Sequence, residues 1–469
     1  MSAGKHIAQF GSAYPLIKIN GYGPFSKDEI LEFTIYQTGF LPKCSFKLQL
    51  KEGIFLSTSF PKDNDVINVY IRSLNDKHKP IRNDYVITNV SSNRSQDSEG
   101  DRLILYISGE LYVPNLNSMF IKSWNGKTSF EVLFDIATKL KLGFASNEKV
   151  SDLKDQQIWL SPNYTYLKMI EYVTEYSFSN LDSFYISFID YYYNLNFINL
   201  GPLFSVPSDY EMEDGIMRGA FNIDDSLTDN FVVSKQPIIL SNAKELKTSN
   251  YYFNSFNIIN KSGLINEDFG HFPNISFYDK KEKKFWNFDI SPLITQGSEK
   301  ENVVMLGRSN EDYYKDNKKP FYLGVQYLYP EHNCHAYYKQ APLQNEYNLE
   351  FASKMQIDVH LPLFNFNLYR CQNIPVQFMV TNDDNRGKVA GKAVDDKSQK
   401  LGWTVDRFLT GRYVIYGLTI EYKQDSLEKF ARPNAATDGI WTVSLNLRRR
   451  EWSMPDVKNK KEDDKDKSN

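Results

Sequence analysis

Between Phe33 and Leu50, apolar and polar residues alternate in FTIYQTG and again in CSFKLQL, with Gly39 and Pro42 between the two runs. A period of two with turn residues at the break predicts a pair of half-buried strands. VINVYIRS (66–73), YVITNV (85–90) and LILYISGELYV (103–113) continue the pattern. The polar, Gly-containing SSNRSQDSEGD between the last two predicts a solvated hairpin tip. Residues 1–115 therefore read as a first, all-β domain.

The period then changes. Thr128-Ser-Phe-Glu131 has capping-box spacing, and Phe130, Leu133, Phe134, Ala137 and Leu140 fall on one helical face that Gly143 is placed to close. A second helix is predicted after Thr165, a plausible N-cap, with Tyr166, Ile170 and Val173 as its stripe. SFYISFID and YYNLNFINL read as a hairpin turning near Tyr192-Tyr193-Asn194. Residues 116–220 thus form an α+β insert.

The β pattern returns in FVVSKQPIIL, in NLEFASKMQIDVHLP (348–362) and in IPVQFMV (374–380). GRYVIYGLTIEY and IWTVSLNLRRREW (440–452) close the chain as a hairpin pair. These runs assign residues 221–245 with 346–453 to a second β-domain. Residues 246–345, rich in aromatics, Asn and Lys, give no element order and read as an inserted, decorating region. The charged end, 454–469, has nothing to bury and is expected to stay disordered.

The two β-domains resemble each other. In each, alternating strands (FKLQL, MQIDVHL) precede a strand, a polar loop, a strand beginning Tyr-Val-Ile, a second polar loop and a long final strand. Tyr85, Val86 and Ile87 occupy the places of Tyr413, Val414 and Ile415. Strand sequences also converge by chance, because Val, Ile and Tyr suit pleated surfaces; the order of loops and strands favours duplication. The fold class expected is mainly β with an α+β insert, built on two related β-barrel, tube-like domains. Two such domains per chain become pseudo-hexameric in a trimer, which lets a three-fold object dock onto a six-fold one.

Composition narrows the chemistry. A net charge of −3 supplies no basic field for autonomous tight nucleic-acid binding. Three widely spaced cysteines, Cys44, Cys334 and Cys371, argue against a disulfide framework and for a reducing compartment. MSAGKHIAQF lacks the apolar core of a signal peptide, so synthesis and retention in the cytoplasm are expected. The 31 Tyr and 32 Phe exceed what an enzyme core needs and point to extended strand and contact surfaces.

Candidate chemistry is sparse. His332, Cys334 and His335 are a tight group, but no second cluster completes four zinc ligands, and no oxyanion hole or G-x-S-x-G accompanies the cysteine. The loop Asn385–Lys392 has glycines and lysines without the strand and helix of a phosphate cradle. Glu171 with Glu175, Asp383-Asp384 and Asp395-Asp396 read as solvated carboxylates rather than a glycosidase pair. No catalytic residue, metal or cofactor is expected. Arg448, Arg449 and Arg450 end the last strand, and two of them must share a side. They either line a channel, meet acids of a neighbouring subunit, or face solvent.

The order of these parts resembles the central baseplate hub proteins of contractile-tailed bacteriophages, with the late-control D proteins and the N-terminal part of VgrG sharing the fold. The residues that carry the resemblance are Trp159 to Leu167, with its Pro-Asn-x-Thr turn leading into a helix. Gly411 to Ile415 and the basic strand end from Leu445 to Arg450 carry the rest. The resemblance implies a homotrimer in the virion tail baseplate, assembled in the host cytoplasm. Its implied partners are the tail tube protein, the central spike protein and outer baseplate proteins, with DNA only in transit through an open axial channel. The rival readings are a tail-associated cell-wall-degrading enzyme and a carbohydrate-binding module that uses exposed aromatics.

Overall fold

The computed structural model describes residues 14–51, 60–62, 64–73, 78–97, 100–204, 212–213, 216–217, 240–242, 252–253, 255–260, 273–279, 283–289, 321–328, 334–352, 355–362, 366, 368–381, 403–405, 409–424 and 440–449. The alternating runs at the start form six strands: β1 (Leu16–Ile19), β2 (Ile30–Gln37), β3 (Lys43–Lys51), β4 (Val66–Ile71), β5 (Ile81–Asp97) and β6 (Gly100–Leu111). They pair antiparallel in the order β1-β4-β5-β6-β3-β2. Most of the polar segment read as a hairpin tip is ladder, because β5 and β6 stay paired out to Asp97 and Gly100. Ser91, Ser92 and Asn93 are exposed, so polar side chains cost nothing there while the backbone gains its bonds.

The insert comprises β7 (Met119–Lys127), α1 (Ser129–Lys139), β8 (Gly143–Ser146), β9 (Gln157–Thr165), α2 (Tyr166–Glu175), β10 (Tyr185–Ile189) and β11 (Asn194–Asn199). The capping box forms as its spacing predicts, with Glu131 N donating to Thr128 Oγ1 and Thr128 N donating to the Glu131 carboxylate. Thr165 caps α2 by accepting from Lys168 N at 3.1 Å. The buried face of α1 is rotated from the predicted one: Val132, Leu133, Ile136 and Ala137 are inside, whereas Phe134 is 53% exposed. The reason is β8, whose Phe144 takes Phe130 and Phe134 edge-on at the flank of the helix. Nor does Gly143 close α1; Lys141 takes the left-handed conformation after Leu140, and Gly143 opens β8.

The remaining strands are β12 (Met212–Glu213), β13 (Ile216–Met217), β14 (Leu240–Ser241), β15 (Ser255–Asn260), β16 (Pro273–Asp279), β17 (Lys284–Asp289) and β18 (Phe321–Leu328). After helix α3 (Ala341–Ala352) come β19 (Met355–Leu361), β20 (Asn373–Gln377), β21 (Met379–Thr381), β22 (Trp403–Val405), β23 (Gly411–Lys423) and β24 (Ile440–Arg449). The run from residue 348 is helical as far as Ala352 and only then extended. The main sheet continues from β2 through β23-β24-β19-β15, with β20 also bonded to β23 and β14 to β20. Both β-rich ends thus belong to one twelve-stranded sheet.

Its inner face carries the principal core: Phe33, Ile35, Phe46, Leu48, Tyr85 and Leu105 from the first end, Ile357, Val359, Ile420, Tyr422, Val443 and Leu445 from the second. At about 25 cal/mol per Å² of apolar area, burial of this set is the main force that holds the ends together. Among the described residues, no helix is long and apolar enough to cross a membrane.

Candidate functional site: the repeat and its seams

Strand pairing aligns the two ends residue by residue. In the first, β4-β5-β6-β3-β2 are neighbours in that order; in the second, β20-β23-β24-β19-β15 are. Ile67 faces Tyr85 as Ile374 faces Tyr413. Val86 faces Glu110 as Val414 faces Arg448, and Ile87 faces Gly109 as Ile415 faces Leu447. Cys44 faces Gly109 as Ile357 faces Leu447. Both ladders then slip by one residue at the same place, between Ile87 and Asn89 and between Ile415 and Gly417. A bulge adds one unpaired residue and bends its strand; Thr88 and Tyr416 are those residues. Chance convergence of strand composition accounts for alternation, but not for a shared order, register and bulge. The copies diverge at the outer edge, where β1 joins β4 antiparallel and β14 joins β20 parallel.

The first copy meets the second through β2 and β23. Phe33 faces Tyr422, Ile35 faces Ile420 and Gln37 faces Leu418. Five of these six are fully buried and Gln37 is 2% exposed. This internal seam uses the part of β23 beyond the bulge, while β20 bonds the part before it.

A buried cation marks the junction. Arg370 is 7% exposed; its Nη1 donates to Gly39 O at 2.6 Å, its Nε donates to Tyr416 O at 2.7 Å, and its guanidinium lies over the Phe188 ring at 4.3 Å. It thus touches the β2–β3 turn, the bulge of the second copy and the insert. The insert is also tied to the first copy through its β10–β11 hairpin. Ile189 N donates to Phe40 O at 2.8 Å, Asn83 Nδ2 donates to Tyr191 O at 2.8 Å, and Asp84 N donates to Tyr193 Oη at 3.0 Å.

The chain is similar to the tail protein of Neisseria meningitidis MC58, with a TM-score of 0.46 and 10% identity over 94% of this chain and 97% of that one. It is also similar to the 43 kDa tail protein of prophage MuSo2 from Shewanella oneidensis, with a TM-score of 0.46 and 9% identity over 93% and 98% of the two chains. A third similarity is to the half-lidded PdpA–VgrG complex of Francisella, with a TM-score of 0.39 and 10% identity over 95% of this chain and 59% of that one. No protein-family model and no curated protein sequence matches the chain.

Tyr85 and Tyr413 take matching ladder positions, opposite Ile67 and Ile374. Tyr85 and Tyr413 are both fully buried; Tyr85 Oη donates to Asn83 Oδ1 at 3.4 Å and Tyr413 Oη donates to Leu409 O. Val86 and Val414 point to the opposite face. Of the arginines, Arg449 is buried, its Nη1 donating to Thr410 O at 3.4 Å, and a Cβ at Gly411 would lie 2.8 Å from that nitrogen. The glycine leaves room for the guanidinium. Arg448 faces the other side, over the Tyr416 ring at 3.3 Å, with Nε donating to Asn446 Oδ1 at 3.1 Å. Arg450 lies outside the described residues, as do His332 and the acidic pairs at 383–384 and 395–396.

The other chemical candidates have structural roles. His335 donates from Nε2 to Tyr176 O at 3.1 Å and accepts from Tyr337 N at Nδ1, so both ring nitrogens are used. Among the described residues, no three His, Cys, Asp or Glu side chains gather around a point that would hold a metal. Glu171 is exposed and pairs with Lys168 at 3.6 Å. Asp155 is fully buried and accepts from Ser129 N, Ser129 Oγ and Phe178 N. Sequence reasoning missed both Asp155 and Arg370. The outer side of the β7–β9 ribbon exposes Met119, Ile121 and Leu160, an apolar strip on the insert.

Proposed function

We propose that the chain is the structural hub of a contractile-tail baseplate, a homotrimer that adapts the six-fold tail tube to the three-fold central spike. The observation that carries this reading is the duplicated unit, with the same strand order, register and bulge in both ends of the chain. Two similar units per chain give six around a three-fold axis, so one rim of a trimer meets a six-fold ring and the other a three-fold spike. The tail as the place of this ring comes from the sequence resemblance. In this reading the two units, residues 1–115 and 221–245 with 346–453, are tube-like barrels. The tail tube and spike proteins bind the two rims. The insert, 116–220, and the part of 246–345 that follows β15, a strand of the main sheet, take the outer baseplate proteins. DNA passes only through the axis, past Arg448 and its neighbours, and the chain works by geometry without catalysis.

Sedimentation or light scattering at micromolar concentration is expected to give three times the 54.5 kDa chain mass. Class averages viewed down the axis should show six similar densities. A stable monomer would sink the proposal, and so would release of reducing sugar from peptidoglycan by the purified chain.

A further inference from the structure

The internal seam supplies a template for a contact that one chain cannot complete. In the second copy, β15 holds the place that β2 holds in the first: each borders the strand (β19, β3) that borders the long final strand, and Ile258 faces Ile357 as Ile35 faces Cys44. The sequences agree, EFTIYQ at 32–37 and SFNIIN at 255–260. Their surroundings do not. Phe33 and Ile35 are fully buried, whereas Phe256 and Ile258 are each 38% exposed. The difference lies in what the outer edge meets: β2 bonds β23, whereas β15 ends the sheet among the described residues.

The missing strand has an exposed counterpart in the first copy. β23 bonds β20 before its bulge and β2 after it. Its equivalent, β5, bonds β4 from Ile81 to Val86, and from Asn89 to Asp97, among the described residues, it bonds β6 on one side alone. Among the described residues each chain thus presents two half-made edges, which match the two halves of its internal seam in backbone pairing, with Val90 and Ser92 on β5 where β23 carries Leu418 and Ile420. Unpaired strand edges are templates for strand addition.

We infer that β15 of one chain pairs antiparallel with the distal half of β5 in the next copy of the same chain, repeating the β2–β23 seam between subunits. Carrying the internal register across by the repeat sets Ile258 opposite Ser92, Asn257 opposite Asn93 and Ile259 opposite Ser91. Phe256 and Ile258 lose their exposure there as Phe33 and Ile35 do inside the chain. The pairing is head to tail, so each chain offers one edge of each kind, and a ring that closes leaves none free. The inference rests on the trimeric reading and adds to it which strands meet and in what register.

The test is a disulfide between Ser92→Cys and Ile258→Cys, both exposed positions, in the full chain. Oxidation is expected to give reducible species of two and three chains from the double variant. Neither single variant should do so, nor should the out-of-register pair Asn93→Cys with Ile258→Cys. Ile258→Asp, which adds a charge at the proposed contact without entering the core, should shift the mass from three chains to one with an unchanged circular dichroism spectrum. A trimer that forms no such cross-link, that cross-links equally out of register, or that survives Ile258→Asp overturns the pairing and leaves the trimer standing. A wild-type monomer overturns both.

Discussion

Replacing Arg370 by methionine is expected to lower the unfolding free energy by about 3 kcal/mol. The loss has two parts. Gly39 O and Tyr416 O each lose a charge-assisted donor at 2.6–2.7 Å, and the guanidinium leaves the ring of Phe188. Methionine fills much of the volume but donates nothing, so the two carbonyls stay in a region that admits little water. Lysine keeps the charge with a single point of donation and is expected to recover less than half. Lys122→Met provides the comparison, since its ion pair with Asp135 is 2.5 Å long but over a third exposed on both sides and should be worth under about 1 kcal/mol. Denaturant titration measures all three. Amide exchange locates the effect: the Arg370→Met change should speed exchange first in Glu32–Gln37 and Leu418–Lys423, the strands of the seam, before it does so in α1. Uniform acceleration would show that Arg370 stabilises the fold without a particular hold on the junction.

The position of Arg370 explains why sequence reading passed over it. Its two acceptors lie on parts of the chain far from it and from each other, Gly39 being 331 residues away, and a lone arginine in a loop has no periodicity to mark it. The strands from 33 to 50, 66 to 113 and 411 to 449 were legible because clear alternation there is bounded by turn residues, and the Tyr-Val-Ile match pointed to strands with the same ladder order and bulge. β15 was missed although its SFNIIN parallels EFTIYQ, because six residues among Asn, Lys and aromatics carry too short an alternation to stand out. The face of α1 was misread for a different reason: Phe130 and Phe134 fit a stripe by spacing, but burial is set by the neighbours, and Phe144 draws those rings to the flank. For the arginines, alternation separates Arg449 from Arg448, while only the space left by Gly411 determines that the former is the buried one. Periodicity thus reports on elements, whereas the junctions depend on single polar groups whose partners are distant.

Two buried groups, Asp155 in the insert and His335 packed against it, are expected to give acid responses of opposite sign. Burial pushes the His335 imidazole down from 6.5 to about 4, and its two hydrogen bonds suit the neutral ring. The unfolded chain therefore takes this proton first. Stability associated with neutral His335 is present above pH 6.5 and is lost as the pH falls toward 4, by about 3 kcal/mol in all. Asp155 behaves in reverse: burial raises its carboxyl from 3.8 to about 6 against the lowering effect of Ser129 and Phe178. Here the folded chain takes the proton first, so a stabilisation present below pH 3.8 is lost as the pH rises through about 6, again by about 3 kcal/mol. Between pH 6 and 4 the two slopes oppose each other, and wild type hides both. The difference in unfolding free energy between wild type and His335→Gln should move by about 3 kcal/mol in favour of the variant from pH 7 to pH 4. For Asp155→Asn the difference should move toward wild type over the same interval. Urea titrations at half-unit steps of pH read these differences directly. Parallel curves for wild type and His335→Gln would mean that the imidazole is reached by water in the folded chain, and that α2 and the segment at 334–338 are not packed as tightly as the stacking of Tyr176 on Tyr338 at 4.3 Å requires.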